Sequence, residues 1–600
     1  MNVLGIHEGH EAHACVVRDG VLVAAIAEER LSRVKTDSRY PRQAIDTVLS
    51  IAGLAPGELD VVAFAGRSDW IWQTLYNKHA SFSVSDWIEE CDFYWKPVLL
   101  EGKTVSPFEV FDKFRHRGGD LNANPYLPFV DQARQSEPSQ WGALGDAIRH
   151  ATVADHLGIG PEKIRMYRHE DCHKIYGFYS SPNARERALV LTIEGGGDDS
   201  SATVSTMSAN GRIDEHWRSN QVQAGRLYAY VTLILGMKPG QHEYKVMGLA
   251  PYGAQYHGQR SLDFFNTVNR VAGTEIVNDG TVPDLYFTVR EALRAERFDG
   301  IAWGIQTWLE ELLCEWVTNN VAHHGTGNVI LSGGVAQNIK AVKALAELQC
   351  VEQIWAGPIS GDGSIGVGAA WLASNTLAPE VTIEGLPTVY LGTEHSDLSV
   401  RRAVEEHDLQ SGFYITERPS PQQQAEWLAA GQILARFSGR MEFGQRALGN
   451  RSILGDPRRA DTVDHVNQKI KYRDFWMPFT PSMTTAAAER MLINPKGLYS
   501  PFMTMAFDLQ DGVAAGVPAV IHPADKTARA QMLKRELNPG YHDLLCAFGA
   551  LSGYECLMNT SFNLHGDAIV ESPDDAIDTF LRSELDTLVF DDVAISRAQP

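Results

Sequence analysis

The stretch Ala188-Leu189-Val190-Leu191-Thr192-Ile193, Glu194-Gly195-Gly196-Gly197-Asp198-Asp199-Ser200-Ser201, Ala202-Thr203-Val204-Ser205-Thr206-Met207 reads as a strand, a loop and a return strand. An unbroken run of apolar and β-branched residues is the pattern of a strand buried on both faces. The loop then offers glycines, acids and hydroxyls. Its backbone N–H groups carry no Cβ in front of them, which suits close approach of an anion. The plan recurs elsewhere. Val3 to Ile6 is a short apolar strand, and Ala14 to Val17, Arg18-Asp19-Gly20 and Val21 to Ala27 form a hairpin. Asp-Gly between apolar runs is a strong turn signal. Asn328 to Leu331 runs into Ser332-Gly333-Gly334 and a helix expected from about Ala336. A fourth glycine-rich turn is Gly361-Asp362-Gly363-Ser364-Ile365-Gly366.

Strand–glycine loop–strand in two halves is the pattern of the actin-like, sugar-kinase-like ATPases, α/β proteins in which two lobes each present a phosphate loop to one nucleotide. With 600 residues, the chain exceeds a single hydrophobic core, and two or three domains are expected. A net charge of −22 argues against a dedicated nucleic-acid binder. No apolar run is long enough to span a membrane, and Met1-Asn2-Val3-Leu4-Gly5 lacks the basic start of a signal peptide. The seven cysteines show no C-x-x-C pair, so reduced thiols in a cytoplasm are expected.

Three constellations carry chemistry. His169-Glu170-Asp171-Cys172-His173 places imidazoles at i and i+4, one face of a helix. Asp362, in its glycine-rich turn, is the best third ligand. Two imidazoles and a carboxylate suit Fe(II), Mn(II) or Zn(II); the competing reading is a pair of surface histidines. In the last third, Arg440, Arg446 and Arg451, then Lys469, Lys471 and Arg473, then Lys526 and Arg529, make a basic island in an acidic chain. Arginine forks bind phosphate oxygens bidentately. Large apolar residues interleave with these charges, which favours a partly buried pocket over a solvated face. Finally, Cys556-Leu557-Met558 reads as a strand emptying into a polar loop, Asn559-Thr560-Ser561-Phe562-Asn563, fit to hold an anionic or amide-bearing ligand.

With these segments in view, the chain resembles the NodU/CmcH/TobZ family of O-carbamoyltransferases over nearly its whole length. The resemblance rests on His10-Glu11-Ala12-His13-Ala14, Glu28-Glu29-Arg30-Leu31-Ser32-Arg33-Val34-Lys35, the His169/His173 pair, Glu243 to Gly253, Ser332 to Asn338, Phe443 to Arg451 and Asn559 to Asn563. It implies an actin-like (ASKHA) TsaD-like N-terminal domain of two RNase H-like lobes and an α/β YrdC-like C-terminal domain. The second would make carbamoyl-adenylate from carbamoyl phosphate and ATP. The first would pass the carbamoyl group to a hydroxyl of a small-molecule acceptor, a natural product or glycan. By the same resemblance Arg446, Lys471, Arg529 and Ser561 hold the donor, and His10 activates the acceptor. His169, His173 and Asp362 bind a divalent metal, Fe(II) ahead of Mn(II) or Mg(II). Gly195, Gly196, Gly197, Asp198, Gly333, Gly334 and Asn338 fall on nucleotide loops. A homodimer is compatible with the family; neither a nucleic-acid nor a membrane partner is expected.

The chain departs from the family pattern in places. Met477-Pro478-Phe479 stands where many members have Arg-Pro-Phe, and Arg473 is the candidate to compensate. Gln445 replaces a usual proline. Glu11 replaces an aspartate, and His13 stands where serine is common, so His13 competes with His10 for the base role, with register favouring His10.

Residues 1–385 are expected as the first domain, 386–415 as a linker region and 416–600 as the second domain, with the proline-marked span Thr376–Leu391 read as the crossing between them. The block of about 69–140 is rich in Trp, Tyr and Phe, and either lines an acceptor pocket or is the core of an inserted helical subdomain. Trp303, Trp308 and Tyr541 are most simply core. Competing functions are a threonylcarbamoyl-type tRNA modifier, a non-catalytic nucleotide-binding regulator and a sugar kinase. The acidic charge counts against the first, the basic residues and metal triad against the second, and the C-terminal domain against the third.

Overall fold

Alternation and β-branching at the N-terminus produce a hairpin and a parallel partner. β1 (Asn2–His7), β2 (His13–Arg18), β3 (Val21–Ala27), β4 (Val61–Ala65) and β5 (Ile164–Tyr167) form one sheet in the order β3-β2-β1-β4-β5. β1 pairs antiparallel with β2 and parallel with β4. The stretch around the triple glycine builds a second sheet. β6 (Ala188–Ile193) and β7 (Ala202–Met207) pair antiparallel from Ala188↔Met207 to Ile193↔Ala202. β8 (Ile213–Ser219) follows, and after a small hairpin of β9 (Arg270–Ala272) and β10 (Glu275–Val277) come β11 (Asn328–Ser332) and β12 (Gln353–Ala356). The order is β12-β11-β6-β7-β8. Both sheets have the same topology: an antiparallel meander of three strands, with two further strands added in parallel beside the first of the three. The computed structural model describes residues 1–67, 74–119, 121, 124–184, 186–278, 280, 282 and 284–599.

Two helices join these sheets. Helix His169–Ser180 packs on β6 and β11, helix Ile365–Leu377 packs on β1, β2 and β4, and the two helices pack on each other. Both are buried nearly all round, Ile365–Leu377 with an apolar surface and His169–Ser180 with His169, Glu170, His173 and Lys174 among its buried residues. Gly368 makes their close approach feasible: a Cβ there would meet the Cys172 carbonyl oxygen at 2.1 Å. The start expected near Ala336 is a single 3₁₀ turn, Gly334–Gln337, and the α-helix proper is Ile339–Glu347. Gly333 sits at φ +93 with the Ile193 carbonyl 2.5 Å from where a Cβ would stand, so only glycine fits.

The chain divides into two compact units, Met1–Ser32 with Thr36–Leu386, and Arg33–Lys35 with Pro387–Pro600. The second unit holds an eight-stranded mixed sheet made by β13 (Tyr414–Glu417), β14 (Leu434–Phe437), β15 (Arg451–Gly455), β16 (Thr480–Thr484), β17 (Gln531–Leu533), β18 (Cys556–Ser561), β19 (Thr587–Val589) and β20 (Val593–Ser596). Their order is β13-β20-β19-β14-β15-β18-β16-β17. Helix Pro539–Ser552 buries Tyr541, Leu544, Leu545 and Phe548 against it.

Two expectations need correction. Residues 387–415 are no free linker: they carry helix Asp397–Glu406, and the Tyr390 hydroxyl donates to the Leu448 carbonyl at 2.8 Å, so this segment is part of the second unit. Asn559-Thr560-Ser561 is not loop but the end of β18, because its backbone completes ladders with β15 and β16. In the insert, the reading as core is the one the structure bears out: Tyr94, Phe108, Phe111, Phe114, Tyr126 and Phe129 are core, with Trp87, Phe93 and Trp95 packed against them. Trp70 and Trp72 lie outside the described residues. Trp308 and Tyr541 are fully buried, while Trp303 is half-buried.

Candidate active-site residues in the two units

Helix His169–Ser180 points two imidazoles at one spot, where the end of β6 and the turn before helix Ile365–Leu377 each add a carboxylate. His169 Nε2 and His173 Nε2 lie 3.0 Å apart. Glu194 Oε2 is 3.0 Å from the first and 3.1 Å from the second. Asp362 Oδ1 is 3.5 and 3.4 Å from them. All four ligand atoms fall within 4.8 Å of one another. Ligands of one ion held at about 2.1 Å stand about 3.0–3.4 Å apart, so this donor set fits a divalent metal. Burial pulls the His169 imidazole down, but Glu194 and Asp362 outweigh it and raise it well above the ordinary value. Burial pushes Glu194 up, and the two imidazoles overcome that and hold it at about 2. Unneutralised charges this close and this buried need an ion or a proton between them.

Glu194 was absent from the expected ligand set. It opens the loop whose glycines drew the reading, and its place at a strand end was the available signal. Asp198, expected on a nucleotide loop, accepts instead from the backbone N–H of His169 at 2.9 Å and of Arg67 at 2.5 Å. It holds the start of the metal-site helix, which has no side-chain cap of its own. Asn338 caps helix Ile339–Glu347 through Ala341 N–H and exchanges two amide hydrogen bonds with Gln306. Gly195 accepts from Arg226 Nε at its carbonyl. Gly196 lies against the Arg226 guanidinium. A Cβ on Gly197 would run into Glu170 at 2.0 Å, whereas Gly334 faces open space.

The two candidate bases separate by geometry. His13 is fully buried; its Nδ1–H donates to the Glu11 carbonyl at 2.9 Å and its Nε2 accepts from Gly366 N–H at 3.0 Å. Both nitrogens are committed. His10 is half-buried, and its Nε2–H donates to the Gly240 carbonyl at 2.9 Å. That bond leaves Nδ1 as the lone-pair nitrogen. Burial lowers the His10 pKa, but Glu11 and Asp362 reverse this and raise it. Glu11 itself sits at φ 62, a strained position for a non-glycine residue, with its carboxylate accepting from Gly363 N–H at 2.9 Å.

In the second unit, cations gather around the end of β18. Lys471 is buried and donates to the Ser561 carbonyl at 2.5 Å, Ser561 Oγ at 3.2 Å, the Asn563 carbonyl at 2.9 Å and Asn563 Oδ1 at 2.8 Å. Arg473 donates to Thr560 Oγ1 at 2.9 Å and lies over the Phe479 ring. Burial, then Arg473 and Lys35, hold the Lys471 ammonium well below its usual range. Burial, then Arg446 and Arg473, do the same to Arg529, whose buried Nε has no hydrogen-bond partner. Arg446 rides a loop wound around Glu442, whose Oε1 accepts from the N–H groups of Leu448, Asn450 and Arg451. Asn559 pins the same loop by donating to the Ala447 carbonyl at 3.1 Å. The structure brings Arg446, Lys471, Arg529 and Ser561 together, with Arg473, the candidate to compensate for Met477, beside them, and adds Lys35, which was not among the expected donor-binding residues.

The protein is thus a mixed α/β chain with a buried histidine–carboxylate cluster in one unit and a group of basic side chains near the end of β18 in the other. Residues 2–371 match the family model for the carbamoyltransferase N-terminus and residues 425–597 that for the carbamoyltransferase C-terminus. The chain belongs to the carbamoyltransferase family, as its motifs indicated, and is an enzyme whose substrates are a carbamoyl donor and an acceptor. It is similar to nodulation protein NolNO of Sinorhizobium fredii, 31% identical across 97% of this chain and 78% of that protein. It is also similar to nodulation protein NolO of Bradyrhizobium diazoefficiens, 33% identical across 70% and 77%. Among solved structures, T. kodakarensis HypF resembles it only remotely, at 13% identity over 64% of this chain and 49% of that one, with a TM-score of 0.31. No helix among the described residues is long and apolar enough to cross a membrane.

Proposed function

We propose that this carbamoyltransferase is ATP-dependent and works in two steps, forming carbamoyl-adenylate in the second unit and carbamoylating an acceptor hydroxyl in the first. Carbamoyl phosphate, ATP and water would give carbamoyl-adenylate, phosphate and pyrophosphate. Arg446, Arg473, Arg529 and Lys471 hold the phosphoryl charge, and Ser561 and Asn563 orient the Lys471 ammonium. In the transfer step the acceptor oxygen attacks the carbamoyl carbon, the carbamoyl–phosphate C–O bond breaks, and AMP leaves. His10 Nδ1 takes the hydroxyl proton. A divalent ion held by His169, His173, Asp362 and Glu194 would supply Lewis-acid charge for the leaving phosphate; two imidazoles and two carboxylates suit Fe(II) or Mn(II). The repeated strand order of the first two sheets supports the actin-like, TsaD-like reading of the first unit, with a YrdC-like second unit. The acceptor is a hydroxyl-bearing natural product or glycan.

The observation that carries this reading is Arg529, half-buried beside two other arginines, with its buried Nε left without a hydrogen-bond partner. A buried donor without a partner is rare, and a phosphate oxygen would satisfy it. The test is ATP–pyrophosphate exchange in the presence of carbamoyl phosphate. Arg529→Ala abolishes exchange if the reading holds; an unchanged rate refutes it. His10→Ala leaves exchange intact and stops carbamoyl transfer.

A further inference from the structure

Gly240 stands between two imidazole rings. Its carbonyl accepts from His10, and a Cβ built on it would meet His79 Nδ1 at 3.1 Å and His10 Nε2 at 3.7 Å. The two rings lie 4.8 Å apart, tilted by 56°. His79 comes from the aromatic-rich insert, from neither sheet, and its Nδ1 is buried with no hydrogen-bond partner.

The turn carrying His79 is fixed from several directions. Asn77, at φ 50, accepts from both the backbone N–H and the hydroxyl of Ser38 and donates to Asp37. The His79 carbonyl accepts from Gln241 Nε2 at 2.8 Å and Thr36 Oγ1 at 3.2 Å, and the Ala80 carbonyl accepts from Lys238 Nζ at 3.1 Å. Lys78 forms a buried pair with Glu90 at 2.6 Å, and the Trp87 ring lies 6.2 Å from His79. The ring of His79 is thus set in place by contacts that have nothing to do with its nitrogens.

We propose that His79 is a positioning residue for His10: its ring and the Gly240 carbonyl clamp the His10 ring in one orientation, in the Nε2–H tautomer, so that Nδ1 is the nitrogen left to accept a proton. This rests on the base role given to His10 above. The clamp has a clear physical content. A free imidazole exchanges tautomers and swings about its Cβ–Cγ bond. A carbonyl on one nitrogen selects the tautomer, and a second ring 4.8 Å away, tilted by 56°, removes room to swing. Burial, then His10 and Lys78, push the His79 pKa well below its ordinary value, so the clamp stays neutral and adds no charge to the base. The insert is then core with one working tip.

The experiment is nitrogen NMR of the full-length protein labelled with ¹⁵N-histidine, with His10→Gln identifying the His10 signals. At a pH above the raised His10 pKa, His10 in the unmodified protein shows the single Nε2–H pattern. In His79→Ala its two nitrogens move toward the averaged values of a tautomer mixture, whereas His79→Phe, which keeps a flat ring without nitrogens, restores the single pattern. His79→Leu fills the volume without a flat ring and gives the same expectation as alanine should that variant fail to fold. ATP–pyrophosphate exchange stays unchanged in each. A single Nε2–H pattern persisting in both the alanine and leucine variants overturns the assignment. Should His10→Gln leave carbamoyl transfer intact, the base role falls, while the tautomer measurement still decides what His79 does.

Discussion

His13 and Glu194 show what single residues contribute. His13 is locked neutral by two hydrogen bonds, and burial lowers its pKa to about 4. In the unfolded chain the same imidazole titrates near about 6.5. Between those values the unfolded chain binds a proton that the folded one refuses. Stability is therefore full above about pH 6.5 and falls as pH drops toward 4, by roughly 3 kcal/mol from this residue. His13→Gln keeps a hydrogen-bonding side chain without the titration. Urea unfolding at pH 7.5 and 5 then shows a smaller acid loss in the variant, and equal losses would remove the assignment. Glu194→Gln and His169→Ala each lower bound metal in elemental analysis; full retention in Glu194→Gln would return the site to three ligands. At this scale the sequence was legible where spacing speaks, as with His169 and His173 on one helical face. It was silent on Glu194, whose approach depends on where β6 ends relative to a helix packed across it. The hydrogen bonds of His13 to the Glu11 carbonyl and Gly366 N–H, which favour the proposed base role of His10, are encoded by no spacing.

The metal-site helix depends on an element far from it in sequence. Helix His169–Ser180 has no cap of its own, and Asp198 accepts from its first N–H across the loop after β6. Asp198→Ala removes that acceptor. By analogy with helix caps it costs about 1 kcal/mol, and by loosening two ligands it weakens metal binding about tenfold. Calorimetric titration of the metal-free protein checks the second figure; unchanged affinity with lowered stability would confine Asp198 to the helix. Strands were the most legible elements, since β1, β2, β3, β6, β7 and β11 follow from apolar runs and an Asp-Gly turn. β18 was read too short because Asn559, Thr560 and Ser561 are polar, yet their backbone pairs with β15 and β16 while their side chains serve the loop of Arg446, Arg473 and Lys471. Polarity there reports the site, and the ladder overrides it. Helix Asp397–Glu406 escaped notice because the surrounding prolines read as a crossing between domains.

At the scale of the whole chain, sequence order and structural membership part company at Arg33–Lys35, which count with the second unit although their neighbours on both sides belong to the first. Arg33 donates to the carbonyls of Ile569 at 2.5 Å and Ala568 at 3.0 Å, and stands 3.3 Å from Asp575. Lys35 is among the charges that depress Lys471. A segment cut at Pro387 therefore lacks part of its own unit. Losing Arg33 leaves two carbonyls without that donor and Asp575 without its cation, on the order of 1–2 kcal/mol for hydrogen bonds to a charged group. Losing Lys35 removes one positive neighbour from the cationic hollow, so the Lys471 pKa rises and anion binding weakens. Residues 387–600 expressed alone should melt below the corresponding transition of the full chain and bind pyrophosphate more weakly. Arg33→Ala in the full chain should reproduce the stability loss, and Lys35→Ala the weaker binding. An isolated segment that matches the full chain in both melting temperature and pyrophosphate affinity would show that the three residues are carried along by the unit and contribute nothing to it.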